Sequence, residues 1–187
     1  MSSRLALLRL PIALAAALLL FAIGLGIAGG NPIEIYRAIL ASGLGNSYGL
    51  GEIAVRAVPF VMAALATAIP ARAGLVNVGA EGQLAVGMVA ATFGAIALGP
   101  KLPSLALVPL LALMGAAGGA IWAGVPGLLR VRANLNETVS TLLLNYVAAL
   151  LVQFMIIGVW RDPASPGFPQ TERFEPAARL PIVWGSR

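Results

Sequence analysis

The sequence contains no cysteine and no histidine. Without cysteine no disulfide can form, and no thiolate is available as nucleophile or metal ligand. Without histidine the commonest general base is missing, so the serines have no Ser–His pair with which to build an intramembrane hydrolase. Lys101 is the single lysine, and no G-x-x-x-x-G-K-[ST] run occurs. The usual P-loop route to ATP hydrolysis is therefore closed to this chain. Charge is scarce as well, at 10% of residues, where a soluble domain carries about 25%. The chain is expected to be neither an enzyme nor a binder of metal or nucleotide by itself.

What fills the space is apolar. Hydrophobic residues make up 59% of the 187 positions, and mean hydropathy is +0.93. That composition belongs to a membrane protein. The net charge of +5 comes from arginines scattered near the ends of apolar runs, which fits membrane topology rather than a phosphate-binding stripe. No nucleic-acid partner is expected.

Five apolar runs predict membrane spans, at about residues 10–28, 53–71, 81–98, 105–129 and 137–160. Each is long enough to cross roughly 30 Å of hydrocarbon at about 1.5 Å per residue. The first follows Arg4 and Arg9 and has no clear small-residue cleavage site, so a retained anchor is favoured over a signal peptide. Asn31 to Glu52 is expected to be a polar loop, with a short amphipathic surface helix over Pro32–Ala41. Pro59 falls inside the second span and removes a backbone donor there. Gly87, Ala91 and Ala95 form one ridge of small residues, and Gly115, Gly119 and Ala123 form another; such ridges let helices pack closely. Residues 161–187 hold Pro163, Pro166, Pro169, Pro176 and Pro181, which predicts an extended loop rather than a domain. The fold class is thus all-α, a polytopic membrane helix bundle over residues 1–160, followed by an extracytoplasmic Pro-rich loop over 161–187. Arg4, Arg9, Arg72, Arg130 and Arg132 crowd three short segments on one side. By the density of basic residues in short loops, the N-terminus is cytoplasmic.

Two polar stretches interrupt the apolar background. Arg72-Ala-Gly-Leu-Val-Asn-Val-Gly-Ala-Glu-Gly-Gln83 places Asn77, Glu81 and Gln83 among Gly74, Gly79, Ala80 and Gly82. A carboxylate at a membrane boundary is costly unless paired or hydrated, and the glycines allow sharp turns and close approach. A short solvated turn is the plain alternative. In the last span Glu137, Thr141 and Asn145 fall at i, i+4 and i+8 on one side, with Ser140 beside them. Lipid would not tolerate that stripe cheaply, so it should face protein or a watery cavity. Asn134, three residues before Glu137, looks like the start of a capping box.

These residues also carry a resemblance. Gly74-Leu-Val-Asn-Val-Gly-Ala-Glu-Gly-Gln83 resembles the hallmark of permease subunits of bacterial ABC importers in the branched-chain amino acid/simple sugar permease superfamily. The closer match is the simple sugar and nucleoside subgroup. Asn31 to Ala38, Asn136 to Tyr146 and Trp160 to Thr171 are similar to three further segments of that subgroup, in the same order. The resemblance implies a transmembrane permease subunit of an ATP-driven importer for nucleosides or simple sugars, in the bacterial cytoplasmic membrane. It implies separate cytoplasmic ATP-binding subunits that carry the ATP, an extracytoplasmic solute-binding lipoprotein and a second permease subunit as partners. Members are about twice this length, so the chain is expected to be the N-terminal half, with no cofactor of its own. Candidate pathway or structural-turn residues are Asn77, Glu81, Gly82, Gln83, Glu137, Thr141, Asn145 and Tyr146. Asn145, deeper along its helix, is the stronger candidate to touch solute, with Tyr146 beside it. A nonfunctional remnant or membrane scaffold, and a small dimeric proton-coupled transporter working through Glu81 or Glu137, are the alternative readings.

Overall fold

The computed structural model describes residues 3–165 and 167–180, with side chains from Arg9 onward. Expectations placed on the Arg4 side chain, Pro166 and residues 181–187 of the Pro-rich segment lie outside the described residues. Six α-helices follow in order: α1 (Ser3–Ile27), α2 (Pro32–Leu44), α3 (Ser47–Ala71), α4 (Ala80–Leu98), α5 (Ser104–Ala133) and α6 (Glu137–Phe154). A π-helical turn, Met155–Val159, continues α6, and a 3-10 turn covers Pro176–Ala178. Among the described residues there is no strand, only an isolated antiparallel bridge between Arg161 and Thr171. Among the described residues five stretches are long and apolar enough to cross a membrane: Arg9–Ile27, Ser47–Ala71, Ala80–Leu98, Ser104–Ala133 and Glu137–Val159. The all-helical membrane-protein class stands.

The chain divides into two compact units, one running to Val55 and the other beginning at Arg56. In the first unit, α1 and α2 pack together. The Tyr36 hydroxyl donates to the Leu18 carbonyl, and the Phe21 and Tyr36 rings sit 5.9 Å apart at 54°. Asn31 starts α2 by accepting from the backbone N–H groups of Ile33 and Glu34, while its Nδ2 donates to Glu34 Oε1 at 3.0 Å. This cap, with Pro32 in the first turn, starts α2 where the amphipathic helix was expected, and the helix runs to Leu44 rather than Ala41. The expected polar loop to Glu52 is corrected further along. Asn46 Oδ1 accepts from Gly49 N at 2.7 Å, an N-cap bond that starts α3 at Ser47, ahead of the first apolar run.

In the second unit, α4 packs most extensively on α5, and α6 packs on α4. The two small-residue ridges meet. A Cβ built on Gly87 would lie 2.8 Å from the Gly115 carbonyl oxygen, and one on Gly118 would lie 2.7 Å from Ala90 Cβ. Ala95 is buried. Backbone approach of this kind is how membrane helices associate when apolar burial offers no gain over lipid. The outward faces stay apolar and open, as at Phe60 and Ile121, which suits a lipid solvent.

Helix α5 runs past the expected Leu129 to Ala133, with Arg130 and Arg132 in its last turn, where cations complement the helix C-terminus. It ends at Asn134, whose φ of 50° lies in the left-handed region. Asparagine is the non-glycine residue that tolerates this best. The expected capping box at Asn134 is therefore corrected. Asn134 closes α5, and Asn136 opens α6 by accepting from Thr138 N and Val139 N. Beyond α6 the Pro-rich segment closes on itself instead of extending. Asp162 N donates to Gln170 O at 2.8 Å, and Asp162 Oδ1 accepts from Ala164 N at 2.8 Å. The 3-10 turn then packs on α5.

Gly87→Val should destabilise the α4–α5 pair by about 1–3 kcal/mol, the usual cost of overpacking. Nothing lies within 4 Å of a Cβ on Gly124, so Gly124→Ala should leave stability unchanged or slightly higher. Melting temperatures of the two variants in one detergent check the contrast.

Candidate functional site

The polar run between α3 and α4 is organised by what its backbone lacks. Pro70 has no N–H, so the carbonyl four residues earlier, Ala66 O, has no helical donor. Asn77 Nδ2 supplies one at 2.9 Å. Asn77 is itself buried, and its amide is fully used. Nδ2 also donates to Gln83 Oε1 at 3.2 Å, while Oδ1 accepts from Gly79 N at 2.8 Å and from Gln83 Nε2 at 3.2 Å. Two donors and two acceptors exhaust a carboxamide, which is what a buried one requires.

The second set of bonds comes from α6. Helix α4 begins after Gly79, which has no side chain to cap the first turn. Asn145 Oδ1 does so instead, accepting from Gly82 N at 2.9 Å. Asn145 Nδ2 donates to Val78 O at 2.9 Å, and Thr141 Oγ1 accepts from Val78 N at 3.2 Å while donating to Glu137 O at 2.7 Å. Both backbone groups of Val78 are thus satisfied by two side chains one turn apart on α6. The glycines are needed for this approach. A Cβ on Gly82 would stand 2.8 Å from Asn145 Oδ1, and one on Gly79 would stand 3.0 Å from Thr141 Cβ. Gly74, with φ of +74°, turns the chain out of α3.

Asn77, Gly82, Gln83, Thr141 and Asn145 therefore come together. Glu137 sits at the rim, its Oε2 3.5 Å from Arg130 Nε across the α5–α6 junction. Glu81 lies in the first turn of α4 with its side chain exposed, outside the network. A carboxylate there favours the helix N-terminus electrostatically. Tyr146 is 65% exposed and turned away from the cluster. The carbonyl and N–H of Val78 and the released carbonyl of Ala66 were not singled out from the sequence. Pro70, four residues after Ala66, was the signal available for the second. Chemically the cluster holds neutral amides and a hydroxyl, whose hydrogen bonds join α3, α4 and α6. Among the described residues no group of three or more carboxylates could hold a metal.

Residues 49–183 match the family model for the branched-chain amino acid transport system permease component. Among curated proteins, a glucose ABC transporter permease protein of Haloferax volcanii is 41% identical over 155 residues, covering 83% of this chain and 40% of that protein. A guanosine ABC transporter permease protein of Bacillus subtilis is 33% identical over 148 residues, covering 79% of this chain and 40% of that protein. A nucleoside ABC transporter permease protein of Lactococcus lactis is 33% identical over 128 residues, covering 68% and 35%. The chain spans 40% or less of the length of these relatives. No solved structure matches it.

Asn145→Leu leaves the Val78 carbonyl and the Gly82 N–H without their partners and should cost about 1–3 kcal/mol, the penalty of orphaned polar groups. Glu81→Gln should change stability by less than about 0.5 kcal/mol, as for an exposed substitution. Detergent unfolding of both variants separates the clamp from the exposed carboxylate.

Proposed function

As this chain belongs to the family of branched-chain amino acid transport system permease components, we propose that it forms part of the membrane pathway of an ATP-driven importer for sugar or nucleoside solutes. The names of the three relatives, for glucose, nucleosides and guanosine, support that solute class. The observation that carries the reading is the clamp. The run that resembles the family hallmark is the segment whose backbone α6 holds through Thr141 and Asn145. In this reading Asn77, Gln83, Thr141 and Asn145 tie α3, α4 and α6 so that they move together during alternating access. Asn145 acts through the turn, with its amide engaged there, rather than by direct solute contact.

The remaining parts of the mechanism are those that the family resemblance implies. ATP is bound on separate cytoplasmic subunits. Their closure favours one access state through differential contacts. An extracytoplasmic lipoprotein delivers solute, and a second permease subunit completes the pathway. The N-terminus is cytoplasmic, in the bacterial inner membrane, and Glu81 lies at the cytoplasmic end.

Proteoliposomes loaded with ATP, containing this chain and the subunits that co-purify with it, should take up labelled glucose or guanosine. Uptake should require both ATP and this chain, and a protonophore should leave it unchanged. Uptake without ATP that a protonophore abolishes would instead support the proton-coupled reading. Asn145→Leu should lower uptake about tenfold without loss of membrane insertion, through weakened positioning.

A further inference from the structure

Helix α6 carries a second polar feature on a different face from the clamp. With Thr141 taken as zero and about 100° per residue, Asn145 and Ala148 fall within roughly 40° of it. Tyr146 and Gln153 fall at roughly 140° and 120°, beside Leu150 and Ile157. Thr141 and Ala148 are buried. Tyr146 is 65% exposed, Phe154 64%, and Gln153 is exposed. Neither the Tyr146 hydroxyl nor the Gln153 carboxamide has a hydrogen-bond partner among the described residues.

Depth makes this informative. Counted from Glu137, Tyr146 lies about 14 Å and Gln153 about 24 Å along a span that runs to Val159. Both groups fall within the thickness of a hydrocarbon core. A carboxamide with two donors and an acceptor unmet is strongly disfavoured against lipid tails. Gln153 also stands between two open grooves, one lined by Leu150, Phe154 and Gly158 and the other by Val152, Ile156 and Pro169. Beyond the local helix backbone, nothing among the described residues lies within 4 Å of a Cβ on Gly158, and the π-helical turn begins two residues after Gln153. Such turns gather at functional positions in helices.

We infer that Gln153 lies on the wet wall of the pathway and hydrogen-bonds a hydroxylated or amide-bearing solute, with Tyr146 on the same wall nearer the clamp. A carboxamide offers an adjacent donor and acceptor, and the flat face of Tyr146 suits the apolar face of a sugar or a base. This rests on the importer reading. It assigns solute contact to the face of α6 that the clamp leaves open.

Because the chain has no cysteine, Gln153→Cys, Tyr146→Cys and Val147→Cys each introduce a single thiol into it. The three variants are reconstituted with their partner subunits and treated with a charged, membrane-impermeant methanethiosulfonate. Gln153→Cys and Tyr146→Cys should label about tenfold faster than Val147→Cys, since only a hydrated thiol ionises and reacts. Saturating glucose or guanosine should slow labelling of Gln153→Cys by about threefold, as expected of an occupied site. Labelling of Gln153→Cys as slow as Val147→Cys would show that lipid or another helix covers this face, and would overturn the inference. Fast labelling that neither solute slows would overturn the solute contact. ATP-driven uptake by the unsubstituted chain, measured in the same proteoliposomes, reports on the importer reading separately.

Discussion

A backbone that cannot satisfy itself organises the polar part of this protein. A backbone N–H or C=O shielded from water needs a partner inside the protein. The connection between α3 and α4 leaves three such needs that its own helices do not meet: Pro70 frees the Ala66 carbonyl, Gly79 cannot cap α4, and Val78 lies outside any helix. The repairs come from side chains. Asn77 serves the first, and Thr141 and Asn145 serve the other two from 63 and 67 residues away in sequence. Long-range order in this unit thus follows from local deficits whose partners had to be brought in from α6.

That arrangement sets conditions on the neighbouring helices. For Asn145 to reach Gly82 N, α6 must approach α4 so closely that residue 82 has no room for a Cβ. For α4 to hold its direction it needs a second support, and the glycine contact with α5 provides one at Gly87 and Gly115. One face of α4 is thereby fixed by hydrogen bonds and another by backbone contact. Side chains such as Phe93 and Met88 remain free to meet lipid or further protein. The face of α6 that bears Gln153 is left out of both supports.

Much of this was legible in the chain itself, and the reasons differ by residue. The apolar runs announced the helices because hydrocarbon thickness sets their length. The i, i+4, i+8 stripe of Glu137, Thr141 and Asn145 showed that one side of α6 faces something other than lipid. The capping assignment failed at Asn134 because two asparagines lie two residues apart, and either can cap or close a helix. The left-handed φ at Asn134 and the capping bonds to Asn136 distinguish the end of α5 from the start of α6. The loop expected up to Glu52 failed similarly. Polar residues after Ala41 were read as loop, whereas Asn46 acts as the cap that starts α3.

Composition and periodicity alone determined that this is a helical membrane protein, how many apolar spans it holds and roughly where, and which polar residues were candidates for something beyond lipid contact. Those properties depend on the local balance between apolar side chains and the bilayer, which each segment carries in its own residues. Tertiary structure decided which candidates meet: that Asn145 caps α4 and grips Val78, that Asn77 completes α3, and that Glu81 and Tyr146 stand apart. The atoms involved are backbone groups on segments far apart in sequence. No residue type records which carbonyl a carboxamide will face until the helices have packed.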